Sequence, residues 1–227
     1  MRKRFWFLAV LVLCVALLPI SSLAMGKASV TRQTTATFDA YGDYEAYCFA
    51  EVENVGDQAI RLGEGVVTFY DAAGEPVDTE YVYFAPKVLQ PGERTFINEY
   101  IDVDSADAVV RSEIELSFEP YTGAPAQRLP CTTAIEPTRR YGTDYLFGLV
   151  TIQNDTDQSV RNITIVYAFY DAEDNLLATR TINQSDLGIP AGSSVEWICA
   201  AYYSQHDTWL EHGIEPARID AEVYADL

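Results

Sequence analysis

The sequence predicts an all-β protein made of two tandem antiparallel β-sandwiches behind an export signal. Three observations carry that expectation. The chain nearly repeats itself at an offset of 100 residues: Phe69-Tyr70-Asp71-Ala72 recurs as Phe169-Tyr170-Asp171-Ala172, Asn54 falls on Asn154, Asp57-Gln58 on Asp157-Gln158, Arg61 on Arg161 and Gly92 on Gly192. Repeats of about 20–50 residues build solenoids and propellers, whereas a unit this long matches a whole domain copied. Apolar residues also alternate, at Ala46, Cys48, Ala50 and Val52, at Val67 and Phe69, at Leu146, Val150 and Ile152, and from Ile163 to Phe169. Such a period of two puts one strand face on a core. Finally, turn residues punctuate these runs at matching places in both copies.

The elements follow in order. Residues 1–24 read as a cleaved signal peptide: Arg2-Lys3-Arg4 is a basic start, Phe5 to Leu18 an apolar stretch, and Ser22-Leu23-Ala24 a small-x-small cleavage site. The apolar run is shorter than the roughly 20 residues a membrane span needs, so no membrane insertion is expected after cleavage. The first copy, 25–121, opens with a strand near Thr35 to Phe38. It turns at Asn54-Val55-Gly56-Asp57, at Asp71-Ala72-Ala73-Gly74 and at Leu89-Gln90-Pro91-Gly92, and ends in the alternating Ile114, Leu116 and Phe118. Residues 122–130, with their glycine and prolines, read as a short linker. The second copy, 131–227, repeats the series and ends with Ile219, Ala221 and Val223. That gives roughly seven short strands per copy, the count of a sandwich, and no strong helical pattern interrupts either.

The repeated pattern is an asparagine-bearing turn, a strand ending in aromatic-Tyr-Asp, a reversal, and then Leu-x-Pro-Gly before another strand. It resembles the FxLYD domain family. The naming motif reads Val67-Thr68-Phe69-Tyr70-Asp71 and Tyr167-Ala168-Phe169-Tyr170-Asp171, and the second copy carries Ile189-Pro190-Ala191-Gly192 in place of Leu-x-Pro-Gly. The resemblance implies Ig-like or fibronectin-III-like sandwiches in an exported bacterial protein, and no catalytic residues. The Tyr-Asp pair is then a turn device, with Asp71 and Asp171 accepting backbone N–H bonds.

Composition narrows the partners. The formal net charge is −19, and loss of a signal carrying three basic residues and no acid makes it −22. This disfavours nucleic acid and anionic membranes, which attract basic patches. Cys48, Cys131 and Cys199 remain after cleavage. Export permits a disulfide, but three thiols allow three pairings and the sequence does not choose among them.

Few motifs carry chemistry. Asp102, Asp104 and Asp107 form a D-x-D-x-x-D cluster without the glycine and terminal glutamate of a calcium loop. His206 and His212, the chain's two histidines, lie with Asp207 and Glu211 in a segment the first copy lacks; their spacing fits no standard zinc site, and a solvated loop is expected there. Tyr203, His206, Trp209 and His212 are nonetheless the candidate contact residues for a ligand or partner, because duplicated domains diverge in loops. Trp209 has two readings, an interface anchor or a cap on the sandwich core. The function expected is that of an exported, non-enzymatic interaction or scaffold protein, without cofactor or metal, contacting a protein or glycan at the cell envelope. The alternative is a small hydrolase or metal-dependent enzyme using the His206–His212 region, and a pure spacer is a third possibility.

Overall fold

The computed structural model describes residues 25–140 and 143–226; residues 1–24, which the sequence reads as a signal peptide, lie outside them. Among the described residues the fold is all-β apart from one short helix. In the first half β1 (Ala28–Ala40), β2 (Asp43–Asn54) and β6 (Arg94–Val103) form one sheet in the order β1-β2-β6. A second sheet holds β3 (Ile60–Tyr70) between β4 (Pro76–Val82) and β7 (Arg111–Pro120), with β5 (Val88–Leu89) on the first residues of β3. In the second half β9 (Cys131–Arg140), β10 (Thr143–Gln153) and β13 (Ser194–Cys199) form the sheet β13-β10-β9. Facing it are β12 (Leu176–Gln184), β11 (Arg161–Tyr170), β14 (Arg218–Asp226) and β8 (Gln127–Leu129), in that order. All these pairings are antiparallel.

The residues of inward parity build the cores. Ala46, Cys48, Ala50, Val52, Val67, Phe69 and Ile97 are buried between the first pair of sheets. Val150, Ile152, Ile165, Tyr167, Phe169 and Val223 are buried between the second. The repeated polar residues are staples. Asn54 is fully buried, and its Nδ2 donates to the carbonyls of Gln58 (2.8 Å) and Leu89 (3.0 Å). Asn154 does the same to Gln158 (2.8 Å) and Ile189 (2.8 Å). Each therefore ties a hairpin to the loop preceding the next long strand and satisfies carbonyls that burial would otherwise leave unpaired. Asp71 Oδ1 accepts the N–H groups of Ala73 and Glu75, and Asp171 Oδ1 those of Glu173 and Asn175, all at 2.8–3.0 Å.

Two features differ from the sequence reading. The stretch 122–130, read as linker, contributes β8, whose buried Leu129 pairs with Val223. Three residues are too few to show a period. The segment expected to be a solvated loop is a helix, α1 (Tyr203–His212). Its buried residues are Ser204, Gln205, His206 and Trp209, while Leu210 is half exposed, so no apolar stripe marks it. It ends as helices commonly do: Gly213 adopts a left-handed conformation, φ 65°, and Ile214 N–H returns to Trp209 O at 2.8 Å.

The halves stack face to face. The outer face of β1-β2-β6 lies on the outer face of β12-β11-β14, so the two inner sheets are covered on both sides. Tyr47, Phe49 and Phe96 of the first half join the second half's core. Thr179 Oγ1 donates to Ile97 O, and Thr34 Oγ1 donates to Leu176 O at 2.6 Å. At the centre Glu51 is almost wholly buried. It accepts from Thr31 Oγ1 (2.6 Å), Tyr170 Oη (2.6 Å), Arg32 (3.1 Å) and Arg94 (3.2 Å). Burial alone would raise its pKa. The Thr31 and Tyr170 hydroxyls and the two guanidinium groups outweigh that and hold it below the usual carboxylate range. Arg94 also reaches Asp220 across the interface at 2.9 Å.

Candidate functional site: the helix and the junction between the halves

Helix α1 sits where the second sandwich meets the first, and a cleft opens on either side of it. Away from the first half, a cavity of about 230 Å³ is walled by Tyr145, Leu146, His206, Trp209, Leu210 and Ile214. His206 is 3% exposed, and its ring meets Tyr145, Phe147 and Trp209 edge-on, with centroids 5.4, 5.8 and 5.1 Å away. Burial pushes its pKa down to about 4, with Asp207 opposing weakly, so the imidazole is neutral at pH 7. Its Nε2 is buried and finds no hydrogen-bond partner among the described residues. Trp209, also 3% exposed, packs edge-on against Phe169 at 6.0 Å and closes the end of the core.

Toward the first half, a second cleft of about 330 Å³ is lined by Tyr41, Glu45, Tyr47, Tyr100, Tyr202 and Tyr203. Four separate segments supply it: the β1–β2 turn, β2, β6 and the start of α1. Tyr47 is its floor, stacked on Tyr100 (5.1 Å) and Phe49 (5.2 Å), with its hydroxyl donating to Glu45 Oε2 at 2.8 Å. Burial and Glu45 both raise the Tyr47 pKa, so the phenol keeps its proton. An acidic depression of about 460 Å³ shares Ala40 and Glu45 with this cleft and adds Asp43, Asp102 and Asp104.

The four candidate contact residues therefore separate. His206 and Trp209 line the apolar cavity, and Tyr203 lines the tyrosine cleft while its ring meets Tyr145 edge-on at 5.8 Å. His212 is exposed at the helix end and lines neither cleft. Six residues apart on a helix, His206 and His212 point to different faces, so they do not converge on one ligand. Asp102 and Asp104 line the depression, whereas Asp107 accepts from Ser105 Oγ at 2.7 Å. Among the described residues no three His, Cys, Asp or Glu side chains are grouped to hold a metal ion. Cys48 and Cys199 are buried free thiols, and Cys131 is a partly buried one. Tyr41, Glu45, Tyr47 and Tyr100 were not singled out from the sequence as contact residues; the signal there was tyrosine abundance, 15 in 227 residues. Compared with known proteins, the chain matches no family model and no curated protein.

Proposed function

We propose that this protein is an exported, non-enzymatic interaction or scaffold module of the bacterial cell envelope, built from two FxLYD-type, Ig-like sandwiches. The observation that carries the reading is the junction. Two halves with the same pattern are locked by a buried ionic and aromatic interface, and the tyrosine cleft draws on both of them. Tyrosine-rich concave surfaces suit recognition, since each ring offers large contact area at low entropic cost and a polar tip. The strongly acidic chain favours a partner carrying positive charge. Export rests on the order of charge, apolar run and small residues at 1–24.

The test has two parts. N-terminal sequencing of protein recovered outside the cytoplasm should begin at Met25. Chain beginning at Met25 and carrying a photo-crosslinker at exposed Tyr41 should capture one defined envelope component, and Tyr203→Ala should reduce that capture several-fold. Full-length chain confined to the cytoplasm, or capture indifferent to Tyr203, would overturn the reading.

A further inference from the structure

We propose that the tyrosine cleft at the junction binds an alkylammonium group. The proposal rests on reading the junction as a binding site and adds the ligand's chemistry. The cleft volume, about 330 Å³, falls at the small end of ligand pockets. Its walls are phenol rings, and its polar groups are the Glu45 carboxylate, the tyrosine hydroxyls and the Ser204 hydroxyl. An ammonium group uses both: ring faces attract a cation through their quadrupole, and a carboxylate complements its charge. An anion would meet Glu45 and, next to it, Asp43, Asp102 and Asp104.

Three details sharpen this. Glu45 is held in place, because the hydroxyl it accepts belongs to a tyrosine stacked against both Phe49 and Tyr100. The chain already lays one cation on one of these rings: the Arg180 guanidinium sits 4.0 Å from the Tyr202 centroid, anchored by a 3.1 Å bond to Ala200 O. Arg180 thus takes one face of Tyr202 and leaves the other rings of the cleft to the ligand. Finally, Tyr41 stands at the cleft mouth, 85% exposed, with φ at 64°. Asparagine, aspartate or glycine are the usual occupants of that left-handed turn position. A bulky ring there gains nothing for the turn and gives the cleft an aromatic wall.

The experiment is a titration of the chain beginning at Met25, followed through tyrosine ring resonances by NMR. The probes are choline, its neutral isostere 3,3-dimethylbutanol, and N-acetyl-lysine amide. Choline should shift the Tyr100 and Tyr202 rings saturably, the isostere should not, and binding should weaken as salt is raised. Glu45→Gln should weaken binding about two- to fivefold, the scale of an exposed cation–aromatic or ionic contact. Tyr41→Asn should weaken it comparably while leaving the melting temperature unchanged or higher, because asparagine suits the turn. Preference for choline over the lysine derivative would identify a small quaternary ammonium compound as the source, and the reverse preference a partner's lysine. Equal shifts with the neutral isostere, or no saturable shift with either cation, would overturn the proposal. Partner capture in the preceding test can succeed or fail independently of that result.

Discussion

Strands β3 and β11 end in the same Phe-Tyr-Asp and meet different surroundings. Along β3 burial alternates: Val67 and Phe69 face the core, while Thr68 and Tyr70 lie on an open face beside exposed Tyr81. Along β11 every residue from Ile165 to Tyr170 is buried, because the face that is open in the first half is here covered by the first half itself. The local arrangement is conserved between the two. Arg111 stacks on Tyr70 and Arg218 on Tyr170, each with its guanidinium 3.8 Å from the ring centroid. What differs is the destination of the hydroxyl: Tyr70 reaches Glu113 in its own sheet at 3.2 Å, and Tyr170 reaches Glu51 in the other half at 2.6 Å. The receiving face differs as well. Arg32, Glu51 and Arg94 on the first half correspond to Thr132, Thr151 and Ser194 on the second. The repeat therefore encodes the sandwich, and the positions that break the repeat encode the stacking and where it stops. Repeat arrays use altered terminal surfaces in the same way.

The largest effects should be those that ignore this difference. Phe69 and Phe169 are both fully buried in their own cores, so Phe69→Ala and Phe169→Ala should each cost about 3–5 kcal/mol, the range for a buried phenylalanine. Chemical denaturation checks this, and a loss under ~1 kcal/mol in either would show the cores are not equivalent. The next pair separates the faces. Ala168 lies across from Thr179, whose hydroxyl crosses to Ile97 O, so it faces the interface. Thr68 lies across from Thr79 on the open face. Ala168→Asp should cost about 3–5 kcal/mol by burying an unpaired charge, and Thr68→Asp about 0.5 kcal/mol or less. Equal costs would mean that the halves do not stay stacked in solution.

Removing single hydroxyls tests the same contrast more gently. Tyr170→Phe deletes a donor to a buried carboxylate and should cost about 1.5–3 kcal/mol, the value of a hydrogen bond to a charged group. Tyr70→Phe deletes a contact on the open face and should cost about 0.5 kcal/mol or less. Calorimetry on the two variants would show the difference. If Tyr170→Phe is silent, the arginines and Thr31 satisfy Glu51 without it.

The sandwich halves were legible in the sequence because they depend on local patterns: alternation, turn residues and the offset of 100. The stacking had a signal too. Ile165 to Tyr170 and Ala46 to Ala50 are nearly unbroken apolar runs, the mark of strands covered on both faces. The alternating residues that flank these runs mark one face only. Helix α1 was not legible, since its buried side includes serine, glutamine and histidine and its most outward apolar residue is Leu210. The tyrosine cleft was beyond any local reading, because Tyr47 and Tyr100 meet only across the paired strands β2 and β6, and Tyr202 joins them only once the halves stack.

A last comparison, whose effect appears only as pH is raised, sets Glu99 against its repeat partner Cys199. Both lie in the strand paired beside the central one, at positions separated by the 100-residue offset. Cys199 is fully buried, and its thiol, pushed up to about 12 chiefly by burial, stays neutral across the physiological range. Glu99 is a carboxyl in a partly buried setting; burial raises its pKa to about 7, Glu80 adds to the shift, and the Tyr83 N–H at 3.3 Å opposes it. The folded chain thus holds the Glu99 proton more tightly than the unfolded chain, where the value is about 4.3. Its contribution to stability is fully present below that lower value and is lost as pH rises through about 7. Glutamine keeps the shape without the charge. Glu99→Gln should therefore be close to neutral at pH 4 and stabilise the protein at pH 8 by on the order of 1 kcal/mol. Urea denaturation of both proteins at pH 4, 6 and 8 measures this. A difference that stays constant across the three would show that water reaches the carboxyl freely and that the first half tolerates a charge where the second keeps a neutral thiol.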